Sequence, residues 1–325
     1  MFEDFAYARP ESVAQAAQLL QDETAHALAG GSDLLGCLRE RIFPVKTIVS
    51  LSSLKELRGI ARTAEGGLSL GALTTLAEVA GSTEVQTLYP GLAQAAAEVA
   101  SPQLRNQGTL GGNLCQKTRC WYYRGDFDCL RKGGASCLAV HGENHLHCIF
   151  GGDACYMVHP SDTAPMLQAL QATVWVAGPA GDRSLPLEQL FMPPAQDPTR
   201  ETTLQPGELV THIHLPPPMA GQQTSYRKVR ARRSWDFALA GVALAVIIED
   251  EIVTSCRMVL SGAAPFPWQA TQAEALLTGA ALTRERVRAA ASAAMQGAEP
   301  LTHNAYKIEL FKGIIQEELA RLVRE

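Results

Sequence analysis

The stretch that most limits how this 325-residue chain can fold holds six of its eight cysteines: Cys115, Cys120, Cys129, Cys137, Cys148 and Cys155. Cysteines used only as small core residues would be scattered, so this clustering points to a loop whose course serves its thiols. Measured from Cys120 the spacing is C-x8-C-x7-C-x10-C-x6-C, with His141, His145, His147 and His159 close by. Structural zinc sites present paired C-x2-4-C knuckles, and none is present. An iron–sulfur cluster needs only four thiolates that converge in space, and long irregular spacings are compatible with one. Redox-reactive or disulfide-bonded cysteines, and coincidence, are the alternatives. Five thiols from Cys120 onward compete for four positions, and Cys115 and Cys148 can each be ordinary thiols.

The loop has patterned flanks. Before it stands Thr109-Leu110-Gly111-Gly112-Asn113, and after it Ser161-Asp162-Thr163-Ala164-Pro165. Asp162 falls at a predicted helix start, where the ordinary role of a carboxylate is to cap the helix. Farther upstream, Ala29-Gly30-Gly31-Ser32-Asp33-Leu34-Leu35 reads as strand, tight glycine turn and helix start. Such a turn leaves N–H groups unpaired at a helix N-terminus, where a phosphate is favoured. The alternative is a plain connection whose glycines supply positive φ. The G-x-G-x-x-G dinucleotide fingerprint is absent, so a Rossmann domain is not indicated.

Composition closes several functional classes. The chain is 46% hydrophobic and 19% charged, as globular proteins are. A formal charge of -5 and a pI near 5.9 leave no basic footprint for nucleic acid or an anionic membrane. The opening Met1-Phe2-Glu3-Asp4-Phe5 is acidic and lacks the basic and apolar regions of a signal peptide. The longest apolar run, residues 237–248, falls short of the roughly 20 residues that cross a bilayer and reads as a buried strand. No membrane span is expected.

In order, residues 11–21 predict a helix with Val13, Ala16, Ala17 and Leu20 on one face and Ser12 as N-cap. Strands are expected at 25–29, 47–51 and 68–71, a helix opening at Thr74-Thr75, and an Ala-rich helix from Tyr89-Pro90-Gly91 through Ala100. Past the loop come a helical stretch at 166–172 and a strand at 173–177. Mixed elements in short alternation indicate an α+β or α/β domain. Fresh periodicity after residues 219–223 places a boundary there, giving domains 1–220 and 221–325. The second holds strands at 226–229, 237–248 and 254–260, then helices from Thr271, Thr283 and Asn304. The last presents Ile308, Phe311, Ile315, Leu319 and Leu322 on one face, most simply to a core. The basic run Lys228, Arg230, Arg232 and Arg233 reads as a solvated face, or as a lysine at the domain seam meeting an anionic cofactor.

Taken together, the chain resembles the FAD-binding medium subunits of the molybdenum hydroxylases, the xanthine dehydrogenase and carbon monoxide dehydrogenase group. The likeness rests on the 29–35 motif, Leu70-Gly71-Ala72 with Thr74-Thr75, Gln103-Leu104-Arg105-Asn106, the Gly-Gly-Asn and Ser-Asp-Thr-Ala-Pro motifs, and Tyr226-Arg227-Lys228-Val229-Arg230, all in the family's order. It implies a two-part FAD-binding domain of the PCMH type followed by a C-terminal CO-dehydrogenase-flavoprotein-like α/β domain. FAD contacts would come from Ala27, Leu28, Ala29, Gly30, Gly31, Ser32, Asp33 and Leu34 at the pyrophosphate, from Thr109, Gly112 and Asn113, from Asp162 towards the ribityl chain, and from Lys228 of the second domain.

The usual member joins the Gly-Gly-Asn and Asp motifs by about ten residues, whereas Asn113 and Asp162 lie 49 positions apart here. The extra segment, about residues 115–158, resembles the insert of two branches, the bacterial aldehyde oxidoreductases and 4-hydroxybenzoyl-CoA reductase, whose flavin subunits carry a 4Fe-4S cluster. Carried over by context, its ligands are Cys120, Cys129, Cys137 and Cys155. The resemblance further implies no substrate chemistry on this chain, a large molybdenum-cofactor subunit and a small 2Fe-2S subunit as partners in a heterotrimer or a dimer of heterotrimers, and electrons passing from those clusters through FAD to an external acceptor. The aldehyde oxidoreductase branch is the closer by motif. In the reductase branch electrons run inward. A reading of another class is a zinc-stabilised, non-catalytic assembly subunit that binds nucleotide. The compartment expected is the cytoplasm, or the periplasm if a signal-bearing partner carries the complex out.

Overall fold

A computed structural model describes residues 4–322. Residues 1–3, part of the acidic opening, lie outside the described residues. Three sheets carry the fold. The first is small and parallel, with Thr47–Ser50 between Ala6–Ala8 and Ala25–Leu28. The second has five strands in the order Ile60–Arg62, Leu68–Gly71, Leu209–Leu215, Thr173–Ala177 and Arg183–Pro186, all antiparallel. The third pairs Trp268–Gln269, Ile252–Ser261, Ala240–Glu249 and Gln222–Val229, again antiparallel throughout.

Local chemistry explains the helices. Ser12 accepts the Gln15 N–H at 3.2 Å and starts Val13–Leu19, while Thr75 and Glu78 form a reciprocal capping box at Leu76–Gly81. Pro90 opens the Ala-rich helix Pro90–Ala97. Small residues let that helix lie close to the third sheet, and the Gly91 N–H donates to the Thr224 hydroxyl at 2.9 Å. Beside it packs Thr163–Ala169, buried at every position. These two helices and the five-stranded sheet enclose the largest core, with Leu92, Leu110, Leu167, Val174 and Ile213 fully buried. A second core lies between the third sheet and Tyr306–Leu322, where Phe311, Ile315, Leu319 and Leu322 are buried as their spacing predicts.

The helix expected through Ala100 ends at Ala97 and the one expected at 166–172 spans Thr163–Ala169, and two further shifts bear on the site. The strand expected from residue 237 begins at Ala240. Trp235 adopts φ 54 and Phe237 is 43% exposed, so this part of the run turns out of the sheet. At Asp162 the carboxylate does not cap the helix it precedes. The neighbouring Ser161 hydroxyl accepts the Ala164 N–H at 3.0 Å instead, which frees the Asp162 carboxylate for other partners.

The cysteine-rich loop contains only single turns, Trp121–Arg124, Leu130–Lys132 and Leu138–Val140, and is stitched to the second domain. The N–H groups of Ile149 and Phe150 both reach the Ala263 carbonyl, at 2.8 and 3.1 Å. Phe150 stacks on Trp268 with centroids 4.6 Å apart. Asn304 donates to the carbonyls of His147 and Cys148 at 3.1 and 2.9 Å. Among the described residues no helix is long and apolar enough to cross a membrane.

Candidate functional site

Where the glycine turn, the Gly-Gly-Asn helix, the cysteine loop and the second domain meet, they leave a cavity of about 400 Å³. Eleven residues singled out from sequence line it: Ala27, Ala29, Gly30, Gly31, Ser32, Asp33, Leu34, Thr109, Gly112, Asn113 and Asp162. Leu28 and Lys228 stand outside the wall. Leu28 closes the strand Ala25–Leu28, and its side chain packs beside Gly31. Lys228 is aimed at Asp162.

The turn after Leu28 leads into the helix Leu34–Arg39. Among the described residues the N–H groups of Gly30, Gly31, Ser32 and Asp33 make no hydrogen bond to other backbone, so the turn presents a row of free donors. Its glycines have separate causes. Gly31 sits at φ +74, where an L side chain is strained. A Cβ on Gly30 would lie 1.7 Å from the Gln107 carbonyl oxygen, so this glycine admits the neighbouring chain. Asp33 is drawn towards the cysteine loop. It accepts from Arg119, from the Arg124 guanidinium at 2.7 Å and from the Lys117 N–H at 2.7 Å. Burial works to raise its pKa, but Arg119 and Arg124 hold the carboxyl below the usual range.

Thr109 caps Leu110–Cys115 by accepting the Gly112 N–H at 3.2 Å. Asn113 ties the two motifs together: its Oδ1 accepts from Ser161 at 2.6 Å and Thr163 at 2.7 Å. With that oxygen occupied twice, the Nδ2 hydrogens are what the side chain has left for a ligand. A Cβ on Gly112 would meet only Thr109 Oγ1 at 3.0 Å, so this glycine leaves the cavity wall low.

Asp162 joins the two domains. Lys228 Nζ donates to its Oδ2 at 2.7 Å and the Tyr226 hydroxyl to its Oδ1 at 2.8 Å. The lysine side chain is fully buried and the aspartate side chain 4% exposed. Burial pushes the Asp162 carboxyl above the usual range, with Lys228 and Tyr226 pulling the other way. Both donors lie on Gln222–Val229, alternate positions on one face of the strand, so the pair fixes that strand's height over the site.

A second cavity of about 490 Å³ shares Arg119, Pro160, Asp162, Asp236 and Phe237 with the first. Its far wall includes Cys120, Trp121, His147 and Tyr306. Sequence reasoning missed the residues between. Trp235, 63% exposed, lines the first cavity and donates its N–H to the Ala100 carbonyl at 3.0 Å, bringing the loop after Gln222–Val229 over the site. Phe237 lies under the Arg119 guanidinium at 5.2 Å. The positive φ of Trp235, a non-glycine residue, has no signature in sequence.

Of the four singled-out thiols, Cys137 and Cys155 are neighbours. The interaction with Cys155 holds the Cys137 thiol below its ordinary value and pushes Cys155 up. Cys120 feels both Cys129 and Cys137 electrostatically, and burial raises it to about 11. Its sulfur lies 3.2 Å from His147 Nε2. Cys148 is fully buried, and burial raises it to about 12. Among the described residues no three His, Cys, Asp or Glu side chains gather as they would around a single metal ion.

Comparison with known proteins agrees with this layout. Residues 3–218 match the family model described as the FAD binding domain in molybdopterin dehydrogenase, and residues 224–322 the CO dehydrogenase flavoprotein C-terminal domain. The chain is 36% identical over 321 residues to the aldehyde oxidoreductase FAD-binding subunit PaoB of Escherichia coli (strain K12), covering 97% of each. It is 30% identical over 299 residues to the carbon monoxide dehydrogenase medium chain of Hydrogenophaga pseudoflava, covering 91% of this chain and 88% of the relative. A solved structure of carbon monoxide dehydrogenase from that organism, lacking the Mo-pyranopterin moiety of its cofactor, superposes with TM-score 0.78 at 28% identity, covering 98% and 96% of the two chains. With both domains matched and the fold shared over nearly its whole length, this chain belongs to the FAD-binding medium subunits of the molybdenum hydroxylase oxidoreductases.

Proposed function

We propose that this chain is the electron-transfer subunit of a molybdenum-containing aldehyde oxidoreductase, holding FAD and a 4Fe-4S cluster side by side. The observation that carries the reading is spatial: Cys120 lines a cavity that shares Asp162 with the cavity of the glycine turn. The 36% identity to an aldehyde oxidoreductase subunit supports the choice of branch.

The residues present suit both groups. Free N–H donors at Gly30, Gly31, Ser32 and Asp33 are suited to a diphosphate, and Gly112 leaves room for one. Asn113 Nδ2 and the Asp162 carboxylate offer a donor and an acceptor to a polyhydroxyl chain. Lys228 acts through Asp162, holding the carboxylate in place. Cys120, Cys129, Cys137 and Cys155 lie on one loop and supply four thiols, the number that a cubane with one thiolate per iron would need. When bound, FAD exchanges single electrons for pairs and the cluster relays single electrons. The protein's own work is to position both groups, exclude water and tune their potentials. A large molybdenum-cofactor subunit and a small 2Fe-2S subunit complete the complex in this reading.

The test is turnover by the isolated complex. Oxidation of aromatic aldehydes with a dye acceptor is expected. Turnover of hydroxybenzoyl-CoA with a low-potential donor, and none of aldehydes, would overturn the reading.

A further inference from the structure

The cysteine loop is bonded to both domains, through Asp33 and Glu201 on one side and Asn304 on the other, and one further contact lies wholly within it. His147 points its Nε2 at Cys120 Sγ, 3.2 Å away. The ring is nearly inaccessible, 2% exposed, and packed by Trp121 edge-on at 5.3 Å and by Tyr122 at 6.0 Å. Its backbone is fixed at both ends: the His147 N–H donates to the Asn144 carbonyl at 2.9 Å, and its carbonyl accepts from Asn304 at 3.1 Å. Asn144 is held in turn, donating to the carbonyls of Ala139 and Gly142 and accepting from the His303 N–H at 2.8 Å. The second domain therefore sets where this imidazole stands.

We infer that His147 is a positioning residue that donates Nε2–H to the Cys120 sulfur and raises the reduction potential of the cluster. The inference rests on the reading that Cys120 is a cluster ligand. An iron-bound Cys120 is a thiolate and can only accept, so the nitrogen facing it must carry the proton. Adding an electron to a cluster places negative charge on its sulfurs, and an N–H aimed at one of them stabilises the reduced form more than the oxidised form. The same bond orients the Cys120 side chain at the wall of the second cavity.

The complex purified without oxygen, with His147 intact, replaced by Phe, or replaced by Gln, provides the test. Iron content is measured first, then the cluster midpoint by redox titration followed by electron paramagnetic resonance. His147→Phe keeps a ring and loses the N–H. It is expected to retain iron and titrate lower, with at least a tenfold change in the one-electron equilibrium, about 59 mV. His147→Gln, which restores an N–H donor, is expected to lie between. A midpoint unchanged in an iron-replete His147→Phe complex overturns the inference. Should that variant fail to hold iron, pulsed resonance on the unmodified complex labelled with 15N-histidine decides: weak coupling to a histidine nitrogen, absent in His147→Gln, is expected, and its absence from the unmodified complex overturns the inference. Unmodified complex without iron would instead overturn the reading of Cys120 as a cluster ligand.

Discussion

Replacing Lys228 by Met removes the cation from a buried pair and leaves Asp162 facing only Tyr226. The pair is 2.7 Å apart, with the lysine side chain fully buried and the aspartate 4% exposed, so water cannot take the place of the missing charge. Breaking a buried pair at one end costs about 3–5 kcal/mol, most of it for the stranded charge. Thermal unfolding of the flavin-free subunit by calorimetry should therefore show Lys228→Met at least about 4 °C below the parent, at roughly 1.5 °C per kcal/mol for a chain of 325 residues. The control is the double variant Lys228→Met with Asp162→Asn, which removes the stranded charge as well. It should recover more than half of the loss, a coupling of about 2 kcal/mol. A loss below about 1 kcal/mol in the single variant, or a double variant that loses the sum of the two singles, would refute the view that this pair fixes the second domain over the site.

The other expectations follow from individual residues. Burial lowers His159 to about 4, outweighing the Leu114 carbonyl to which its ring N–H donates at 3.1 Å. Its proton is then bound by the unfolded chain first. Stability is unaffected by this group above its ordinary pKa of 6.5 and falls as pH drops from 6.5 to 4, by about 3 kcal/mol in total; denaturant titrations of parent and His159→Gln should diverge only in that window. Gly30→Ala drives a Cβ into the Gln107 carbonyl and should destabilise the fold by about 1–3 kcal/mol or more. Gly112→Ala meets only Thr109 Oγ1, so it should melt near the parent yet purify with less flavin per chain. Cys137→Ser should lose iron, whereas Cys148→Ser should keep it, and equal iron loss in the two would reassign the spare thiol.

What was legible in the sequence was mostly local. The glycine turn, the Thr109 cap, the capping box at Thr75 and the apolar face of Tyr306–Leu322 each follow from neighbours within a few positions. Residues whose role depends on distant partners were not legible. Asp33 sits in a turn motif, but its carboxylate is engaged 84 to 91 positions away by Lys117, Arg119 and Arg124. Lys228 carried a basic-run signature suited to a solvated face, and its fully buried pairing with Asp162 depends on how two domains meet. Phe237, Ala238 and Leu239 extend an apolar run, so periodicity alone joined them to the strand. The turn at Trp235 and the cavity beside it take them out of the sheet. Gly30 had a phosphate-binding look, and the Gln107 carbonyl gives its lack of a side chain a second cause that only packing reveals.

The central claim is that one chain holds a flavin and an iron–sulfur cluster around Asp162 and Cys120. Purifying the complex without oxygen, separating this subunit, and measuring its visible spectrum with flavin, iron and acid-labile sulfide per chain tests that claim most directly. Flavin bands over a broad iron–sulfur shoulder, with about one FAD, four iron and four sulfide per chain, are predicted. A colourless subunit containing zinc, or a yellow one with flavin and no iron, would contradict it.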